Sequence, residues 1–464
     1  MKNTYYLFII LYFIACSPKE ETTENTQSAT GPNFIFILAD DLGYGDLSCF
    51  GATDIKTPNI DRIAAEGVKF TAHYTTSPVC SPSRAGLLTG RNSQRMGIHG
   101  VFFPESYTGM PSEENTIAEL LKQKGYATGV VGKWHLGHHF QYLPLQQGFD
   151  EYYGIPYSND MESVVYMKDN EVDSFKVDQH YTTKTYTEKA VDFIQRNKEK
   201  PFFLYLAHNM PHVPIYASEK FLGSSDRGLY GDVIQEIDWS VGEVLKTLEG
   251  NGMLENTVIV FSSDNGPWLV MEDHGGSAGI LREGKQYTFE GGMRVPTVAM
   301  WKGKIPPQVY EETSLQMDWL PTFASFADVD VPNDRDYDGM NIAEALLNQT
   351  PMKERDYLYF HFGYDDLRAM RSGKWKIKLP FKGFEGSRGM SAVAAHDTLL
   401  FNLEQDPGET TNLASENSGL VRKLSMKMES KRKEMGEFKP PIVIRSRADN
   451  GHFEYLENKH STEK

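Results

Sequence analysis

Four short apolar runs along the chain each lead into polar residues. Residues 34–39, 127–131, 202–207 and 257–261 are almost unbroken hydrophobic stretches, the pattern of parallel strands that are covered on both faces. The polar residues that follow these runs are Asp40 and Asp41, Lys133 and His135, His208 and His212, and Asp264 and Asn265. The pattern predicts four strands that carry polar side chains to one edge of a sheet.

Helical patterns separate these runs. We expect helices over residues 59–66, 117–124, 188–198 and 232–249, and the last of these has apolar residues at helical spacing. Strands that alternate with helices predict an α/β fold with a doubly wound sheet, mixed but mostly parallel and flanked by helices. Ligands bind such sheets beyond the carboxyl ends of the strands, which is where the polar residues emerge.

The pattern changes after residue 348. Short strands are expected at residues 357–362, 367–370, 374–378 and 400–403, followed by a helix near residues 420–433. We therefore expect a larger α/β domain over residues 31–348, a smaller C-terminal α+β domain over residues 349–440, and a polar tail over residues 441–464.

The amino-terminal segment is typical of a bacterial lipoprotein signal peptide. Lys2 supplies charge, residues 5–15 form an apolar stretch too short to span a bilayer, and Cys16 follows as the residue to be lipidated. Residues 17–30 would be a flexible linker. The prediction is an exported protein, lipid-anchored to the bacterial outer membrane and facing either the cell surface or the periplasm, with the anchor as its membrane contact.

Composition and charge limit the partners. The chain has 464 residues, of which 40% are hydrophobic and 12% aromatic, enough to bury a large core. The formal net charge of -16 argues against nucleic acid as a partner, because phosphate backbones require basic surfaces. A polyanionic substrate would also be repelled by the overall charge, so its attraction requires a locally basic pocket.

Cys80 opens a short helical pattern. Pro82 suits the first turn of a helix, residues 85–88 can extend it and Gly90 can end it. Cys80 would then lie at the positive end of the helix dipole with Arg84 one turn on, a site suited to a tetrahedral oxyanion. A buried structural cysteine is the alternative. The phosphatase loop does not fit, because it has five residues between its Cys and Arg and this chain has three.

Asp40, Asp41, Asp264 and Asn265 offer only hard oxygen ligands, which suit Ca²⁺ or Mg²⁺ rather than zinc. Each pair on its own could instead cap a helix or form a turn. If the strands bring the pairs together, the three carboxylates would repel one another without a cation. We therefore expect a divalent ion at this edge of the sheet.

Several of these segments resemble those of one enzyme family. Residues 80–90 resemble the sulfatase signature, residues 125–135 resemble the second signature of that family, and further segments match at Pro211, His212, Lys285 and residues 290–292. The resemblance covers the chain from about residue 33 to about residue 413, and residues 154–158 favour the arylsulfatase A-like branch. It implies an alkaline phosphatase-like sheet and a smaller C-terminal domain with an antiparallel sheet.

The resemblance also implies the reactive group and the metal. Cys80 would be converted to formylglycine by a formylglycine-generating maturation enzyme, and one hydroxyl of the hydrated aldehyde would attack sulfur. The metal, commonly calcium in the family and with magnesium as an alternative, would be bound by Asp40, Asp41, Asp264, Asn265 and the formylglycine made from Cys80.

Five further residues receive roles from the same resemblance. Arg84 and Lys133 would hold the hydrate and neutralise charge on the ester, and Lys285 would bind sulfate oxygens. His135 would act as the base and His212 would protonate the departing alcohol. Lys133, His212 and Lys285 are therefore also expected substrate-binding residues. Each could instead be an ordinary surface lysine or a structural histidine.

The resulting prediction is a sulfatase that hydrolyses sulfate esters, above all those of a sulfated carbohydrate or polysaccharide. Three alternatives stay open: an arylsulfatase acting on small aryl sulfates, a phosphonate or phosphate monoester hydrolase of the same superfamily, and a glycan-binding lipoprotein without catalysis. Intact Cys80 and both acidic pairs argue against the last of these.

Five remaining residues carry weaker expectations. Arg368 is expected to reach the rim of the site and bind substrate, together with Tyr364 and Arg371, unless these are scattered surface residues. Glu283 stands where the family usually has glycine, so it either alters the sulfate pocket or points outward. Cys49 is expected to be a free, at least partly buried thiol, since no disulfide framework is implied.

Overall fold

The computed structural model describes Met1 and residues 31–161, 164–361, 363, 365–386 and 392–442, and the statements below refer to these residues. The proposed signal peptide, the lipidated Cys16, the linker to residue 30, Tyr364 and the tail from residue 443 lie outside them. Among the helices of the described part, none combines the length and the apolar composition needed to cross a bilayer.

The strands of the described part are numbered in chain order. They are β1 (Asn33–Ala39), β2 (Val68–Phe70), β3 (His73–Tyr74), β4 (Ala127–Gly132), β5 (Glu151–Gly154), β6 (Tyr166–Lys168), β7 (Glu171–Ser174), β8 (Phe202–Ala207), β9 (Thr257–Ser263), β10 (Thr297–Trp301), β11 (Gln308–Tyr310), β12 (Ser314–Leu315), β13 (Asp356–Phe360), β14 (Leu367–Ser372), β15 (Trp375–Lys378) and β16 (Leu399–Asn402).

The α-helices are α1 (Pro58–Glu66), α2 (Cys80–Thr89), α3 (Ile117–Lys122), α4 (Thr182–Arg196), α5 (Leu229–Gly250), α6 (Glu290–Met293), α7 (Trp319–Phe326), α8 (Ala343–Asn348) and α9 (Ser418–Glu434). Short 3₁₀ turns lie at Ser48–Phe50, Ser93–Met96, Phe140–Tyr142, Pro144–Gln147, Gln179–Tyr181, Leu254–Asn256, Leu269–His274 and Gln316–Asp318.

A ten-stranded sheet forms the centre of the molecule, in the order β11-β2-β10-β9-β1-β8-β4-β5-β6-β7. The central strands β9, β1, β8, β4 and β5 are parallel, whereas β10, β6 and β7 are antiparallel to their neighbours. The predicted fold class, a doubly wound, mixed but mostly parallel sheet, is confirmed.

The two faces of the sheet bury alternate residues of each strand. On β1, Phe34 and Phe36 pack with residues of α2, α3 and α7, whereas Ile35 and Ile37 pack with residues of α1, α4 and α5. Because both faces are covered by helices, the strands are buried throughout and read as continuous apolar runs rather than alternating ones.

The register of the central strands aligns their carboxyl ends. Ala39 on β1 is paired with Ser263 on β9, and Ala207 at the end of β8 is paired with both Leu38 and Gly132. The four loops that follow β9, β1, β8 and β4 therefore start at the same level of the sheet, side by side. This alignment brings the four predicted polar clusters to one place.

The helix over Thr182–Arg196 begins six residues before the expected start at residue 188. Thr183, Tyr186 and Thr187 on its first turns are buried, so this part packs on the sheet although its composition is polar. Threonine contributes a methyl group to such a face, which a pattern based on strongly apolar residues does not register.

A second, four-stranded antiparallel sheet follows, in the order β13-β14-β15-β16. One face packs on α9 through Leu358, Met370 and Ile377, which contact Leu424 and Met428. The expected strand at residues 357–362 ends at Phe360, because a bulge interrupts its pairing with β14 there. The predicted antiparallel sheet with a C-terminal helix is confirmed.

Candidate active site

Cys80 is the first residue of α2, as its sequence predicted. Val79 before it is extended, and Gly90 ends the helix in the left-handed conformation with a φ of +67°. All ten residues of the helix are buried, and Cys80 is 1% exposed. The thiol therefore lies at the amino end of a buried helix, where backbone amides favour an anion.

The loops after β1 and β9 bring the acidic residues to this thiol. Ligand atoms of Asp40, Asp41, Cys80 and Asp264 all lie within 4.8 Å of one another. The Asp41 amide donates a hydrogen bond to Asp264 Oδ1 at 3.0 Å, which fixes the two loops against each other. Burial raises the pKa of Asp264, and repulsion from Asp40 adds to it, so the ionised form of Asp264 is disfavoured beside the other carboxylates.

These residues fit a divalent cation. The donor set is made of carboxylate and amide oxygens, the ligands that Ca²⁺ and Mg²⁺ prefer. Asn265 donates through Nδ2 to Asp41 Oδ1 at 2.6 Å, whereas its buried Oδ1 has no hydrogen-bond partner within the described part of the chain. Burying an oxygen without a hydrogen-bond donor costs free energy unless a cation is coordinated by that oxygen.

Three cationic side chains surround the same cluster. Lys133 Nζ lies 2.6 Å from Asp40 Oδ2, and Lys285 Nζ lies 2.7 Å from Asp41 Oδ2 and 3.7 Å from Cys80 Sγ. Arg84 is fully buried; its Nε donates a hydrogen bond to Asp264 Oδ2 at 2.9 Å, and its Nη2 lies 2.9 Å from the same oxygen as an ion pair. The acidic chain thus contains the locally basic pocket that an anionic substrate requires.

Partner charges also control the ionisation of the reactive groups. Although burial works against it, the charges of Lys133 and Arg84 lower the pKa of Asp40, which stays ionised. Burial raises the pKa of the Cys80 thiol well above its usual value, so the unmodified side chain stays protonated at neutral pH. A protonated thiol is a weak nucleophile, which argues against thiolate chemistry at this position.

His135 is held with one ring nitrogen ready to accept a proton. Its Nε2 lies 2.9 Å from the carbonyl oxygen of Phe102, so this nitrogen must carry the hydrogen. The opposite Nδ1 is buried and has no partner among the described residues. Burial, together with the charges of Lys133 and Arg84, lowers the pKa of His135 well below its usual value and keeps the ring neutral.

His212 approaches the cluster from the loop after β8. Its Nδ1 lies 2.6 Å from the carbonyl oxygen of Val213 and therefore donates there, and its Nε2 lies 3.5 Å from Asp41 Oδ2. The ring is 3% exposed and stands beside Trp268, with 5.4 Å between ring centroids. The structure thus brings together every residue predicted for the catalytic and metal sites.

Several supporting residues were not predicted as part of the site. Ser158 Oγ lies 3.1 Å from Lys133 Nζ, and Thr75 donates through Oγ1 to the Asp264 carbonyl oxygen at 2.6 Å. Gln316 is linked to Ser83 at 2.9 Å. Their contacts join distant segments; Ser83 and Ser158 lie inside segments that resemble the family, whereas Thr75 and Gln316 do not.

The two arginines expected at the rim lie elsewhere in the contact network. Arg371 donates to the hydroxyl of Tyr74 and to the Gly373 carbonyl oxygen, so it is a buried residue that joins β14 to β3 rather than a rim residue. Arg368 pairs with Asp366 at 2.7 Å and stacks on Phe381. It lines a cavity of about 390 Å³ beside Tyr287 and Phe289, and its substrate role stays a prediction.

Glu283 takes a backbone conformation that explains why glycine is usual there. Its φ is +59°, in the left-handed region where a side chain is strained. Its side chain is partly exposed.

Two further residues lie outside the catalytic cluster. Cys49 is a free thiol of intermediate exposure, as expected, and His208 is a buried residue 3.2 Å from Ser240 Oγ.

A buried ionic cluster joins the second sheet to the segment after Lys285. Lys376 Nζ lies 2.9 Å from Glu290 Oε1 and 3.0 Å from Glu409 Oε1, and all three side chains are fully buried. Glu290 also accepts a hydrogen bond from the hydroxyl of Tyr74 at 2.6 Å. We call Glu290, Lys376 and Glu409 the buried triad. It ties Glu290, five residues after Lys285, to β15.

Comparison with known proteins follows the same division of the chain. The family model described as Sulfatase matches residues 32–329, and the model described as C-terminal region of aryl-sulfatase matches residues 353–447. The chain is 38% identical over 424 residues to N-acetylgalactosamine-6-sulfatase of Canis lupus familiaris. This match covers 82% of this chain and 81% of the relative. The chain is 38% identical over 426 residues to arylsulfatase A of Homo sapiens, spanning 83% and 84%.

Solved structures share the architecture. One from the Bacteroides thetaiotaomicron locus for metabolism of multiple glycosaminoglycans superposes with a TM-score of 0.80 and 30% identity, covering 87% of this chain and 99% of that chain. Another, Ps i-CgsB in complex with k-i-k-neocarrahexaose, has a TM-score of 0.78 and 29% identity, covering 92% of this chain and 98% of that chain.

Proposed function

The chain belongs to the sulfatase family and is a sulfuric ester hydrolase, and from this premise we propose that it removes sulfate from sulfated carbohydrates. The observation that carries the proposal is the pocket around Cys80, where Arg84, Lys133 and Lys285 converge on a buried helix terminus. A sulfate ester carries one negative charge over three oxygens, and fixed cations stabilise that charge as the ester bond breaks.

We propose that Cys80 is matured to formylglycine, whose hydrate supplies an oxygen nucleophile that the protonated thiol cannot. Cys80 is 1% exposed and its helix is buried on all sides. A maturation enzyme can therefore reach it only before the chain folds. Conversion replaces SH₂ by O and lowers the mass of the Cys80 peptide by about 18 Da, which mass spectrometry detects.

Asp40, Asp41, Asp264 and Asn265 would hold the metal, for which we propose Ca²⁺, with Mg²⁺ as the alternative. The cation would neutralise the carboxylates and draw electron density from an oxygen of the bound ester. The support is the all-oxygen donor set and the buried Asn265 Oδ1 without a partner within the described residues.

The histidines divide the proton transfers between them. His212 Nε2 faces the cluster while Nδ1 is held by a carbonyl oxygen, so a proton on Nε2 can pass to the leaving alcohol oxygen. His135 Nδ1 has no partner among the described residues, and the lowered pKa keeps the ring neutral, so the lone pair of this nitrogen is available for the proton of a hydroxyl. Lys133 and Lys285 would contact the sulfate oxygens throughout.

The substrate class rests on the relatives. N-acetylgalactosamine-6-sulfatase and the structure with bound neocarrahexaose support a carbohydrate ester, whereas arylsulfatase A supports small aryl sulfates as a second candidate. We further propose that Cys16 is lipidated and anchors the exported protein to the outer membrane. Replacement of Cys16 by Ala should then move the protein from the membrane fraction to the soluble fraction.

The test is sulfate release by protein that has been produced together with a formylglycine-generating enzyme. A panel of sulfated oligosaccharides, 4-nitrophenyl sulfate and 4-nitrophenyl phosphate separates the three ester classes. We expect release from at least one oligosaccharide and none from the Cys80→Ala variant. Faster turnover of the phosphate than of every sulfate, or full activity in Cys80→Ala, would contradict the proposal.

A further inference from the structure

Trp268 lies beside two of the proposed substrate-binding side chains. The centroid of the Trp268 ring is 5.4 Å from the centroid of the His212 ring. Lys285 Nζ lies 4.4 Å from the same Trp268 centroid. His212 and Lys285 are 3% and 6% exposed, whereas Trp268 is partly exposed. The Trp268 ring is therefore the most exposed member of this group of three side chains.

Asp160 meets the same two residues from a different segment. Its carboxylate accepts a hydrogen bond from Ser158, interacts electrostatically with His212 and Lys285, and is open to solvent. The neighbouring Asn159 donates through Nδ2 to the His212 carbonyl oxygen at 3.4 Å, which fixes this segment against the His212 loop. Asp160 is therefore an exposed carboxylate whose segment is bonded to the His212 loop.

The backbone on the Trp268 side is fixed as well. The Lys285 amide donates to the carbonyl oxygen of Pro267 at 2.8 Å. Pro267 directly follows the Asp264, Asn265 and Gly266 segment at the end of β9. Trp268 and the sulfate-binding Lys285 are therefore connected rigidly, and the distance between the ring and the bound sulfate is set by the fold.

The Trp268 ring and the Asp160 carboxylate, both near His212 and Lys285, together favour a particular kind of leaving group. The ring face favours an apolar surface such as the C–H face of a sugar. The carboxylate accepts hydrogen bonds and loses solvation when a ligand covers it without donating any. An aryl group could stack on Trp268 but would leave Asp160 without a donor, whereas a sugar offers an apolar face and hydroxyl donors together.

We propose that Trp268 and Asp160 form the binding site for the sugar ring that carries the sulfate, Trp268 by stacking and Asp160 by accepting ring hydroxyls. This inference rests on the proposed sulfatase function and narrows it. The preferred ring has free hydroxyls near the ester and no second anionic group there, because a carboxylate or sulfate facing Asp160 would be repelled.

The test compares three variants of the mature holoenzyme: Trp268→Leu, Trp268→Phe and Asp160→Asn. The substrates are N-acetylgalactosamine 6-sulfate, or the best saccharide of the panel, and 4-nitrophenyl sulfate. We expect Trp268→Leu to raise KM for the saccharide about tenfold with a smaller change in kcat, and Trp268→Phe to stay within about threefold of wild type. Asp160→Asn should raise the saccharide KM about tenfold and leave 4-nitrophenyl sulfate within about twofold.

Inhibition by inorganic sulfate distinguishes sugar binding from a structural role. If Trp268 or Asp160 only supported the sulfate pocket, the Ki of inorganic sulfate would change in the variants. Inorganic sulfate reports on the pocket around Lys285 without any sugar contact, so its Ki should stay within about twofold in all three variants. Leu269→Ala and Asp226→Asn, which alter neighbouring or comparable exposed side chains, serve as matched controls. Both should match wild type on every substrate.

The outcomes separate the inference from the function beneath it. If the wild type releases no sulfate from any saccharide, the proposed carbohydrate function fails and this inference fails with it. If the wild type is active and Trp268→Leu leaves the saccharide KM unchanged, the inference alone fails. A sulfate Ki that rises in step with KM would show that Trp268 only supports Lys285, and that result also overturns the inference.

Discussion

Replacement of Lys376 by Met removes the one cation shared by two buried carboxylates. In the buried triad, Lys376 lies 2.9 Å from Glu290 and 3.0 Å from Glu409. Methionine keeps most of the side-chain volume and can still pack on Tyr359, over whose ring Lys376 Nζ lies at 4.3 Å. The variant therefore changes charge and leaves packing nearly intact.

The cost follows from the proton that the cluster must then bind. Burial raises the pKa of Glu290, but the charge of Lys376, with those of Arg294 and Arg371, outweighs it and lowers the pKa to about 2. Without Lys376, a carboxyl of the triad becomes protonated. At pH 7, protonating a carboxyl with an unfolded pKa of about 4.3 costs about 3.7 kcal/mol, in the range of about 3–5 kcal/mol for breaking a buried ion pair.

The same argument fixes the pH dependence. A carboxyl with a lowered folded pKa contributes stability above its unfolded pKa, and this contribution is lost as the pH falls toward the folded value. Wild-type protein therefore keeps the contribution of Glu290 at pH 5, whereas burial raises the pKa of Glu409, which makes no such contribution. In Lys376→Met the protonation costs only about 1 kcal/mol at pH 5, so the difference from wild type should shrink from about 4 to about 1 kcal/mol.

Urea unfolding of both proteins at pH 7 and pH 5 measures this difference. Lys374→Met is the matched control, because Lys374 lies two residues earlier and is exposed. It should change stability by less than about 0.5 kcal/mol. A loss below about 1 kcal/mol at pH 7 for Lys376→Met, or an equal loss at both pH values, would refute the reasoning.

Three further predictions concern the site and the core. Gly132→Ala should cut activity at least about tenfold. The φ of Gly132 is +117°, and a Cβ there would meet the Ala207 carbonyl oxygen at 1.8 Å and displace the adjacent Lys133. The control is Gly125→Ala, which also has a positive φ but open space around it and should keep near wild-type kcat/KM. His208→Gln should reduce the steepness with which stability falls below pH 6.5. Burial lowers the pKa of His208 to about 3, so the neutral ring costs the folded protein up to about 1.4 kcal/mol of stability for each pH unit below 6.5. An unchanged slope of urea midpoint against pH would contradict this. Removal of divalent ions by a chelator should abolish sulfate release and lower the Tm, since the acidic cluster loses its neutralising charge, and Ca²⁺ should restore both better than Mg²⁺.

The sequence predicted the central sheet well because its strands are buried on both faces. A strand such as Phe202–Ala207 has no polar residue, so its boundaries are visible without any partner. The polar residues directly after such strands are equally visible, and parallel strands must present them at one edge. Asp40 and Asp264 could be assigned to one site on this basis, whereas Cys80 was assigned to it through the resemblance of residues 80–90 to the sulfatase signature.

Residues whose role depends on contact between two elements were not accessible in this way. Lys376 and Lys378 alternate with Ile377 and read as the solvent-exposed face of a strand, yet both are buried against the segment after Lys285. Arg371 was expected at the rim of the site and is instead buried against Tyr74 on β3. Which surface covers a strand face is decided by long-range packing that a local pattern does not contain.

The sequence by itself therefore determined the order of strands and helices, the fold class and the residue types that meet at the carboxyl edge of the sheet. The tertiary structure decided the pairing of each cation with a carboxylate, the ring nitrogen at which His135 can accept a proton, and the placement of Trp268 and Asp160 near His212 and Lys285. The physical reason is that hydrophobic periodicity reports how deeply each element is buried, whereas distances between side chains from separate loops arise only when the register of the sheet is fixed.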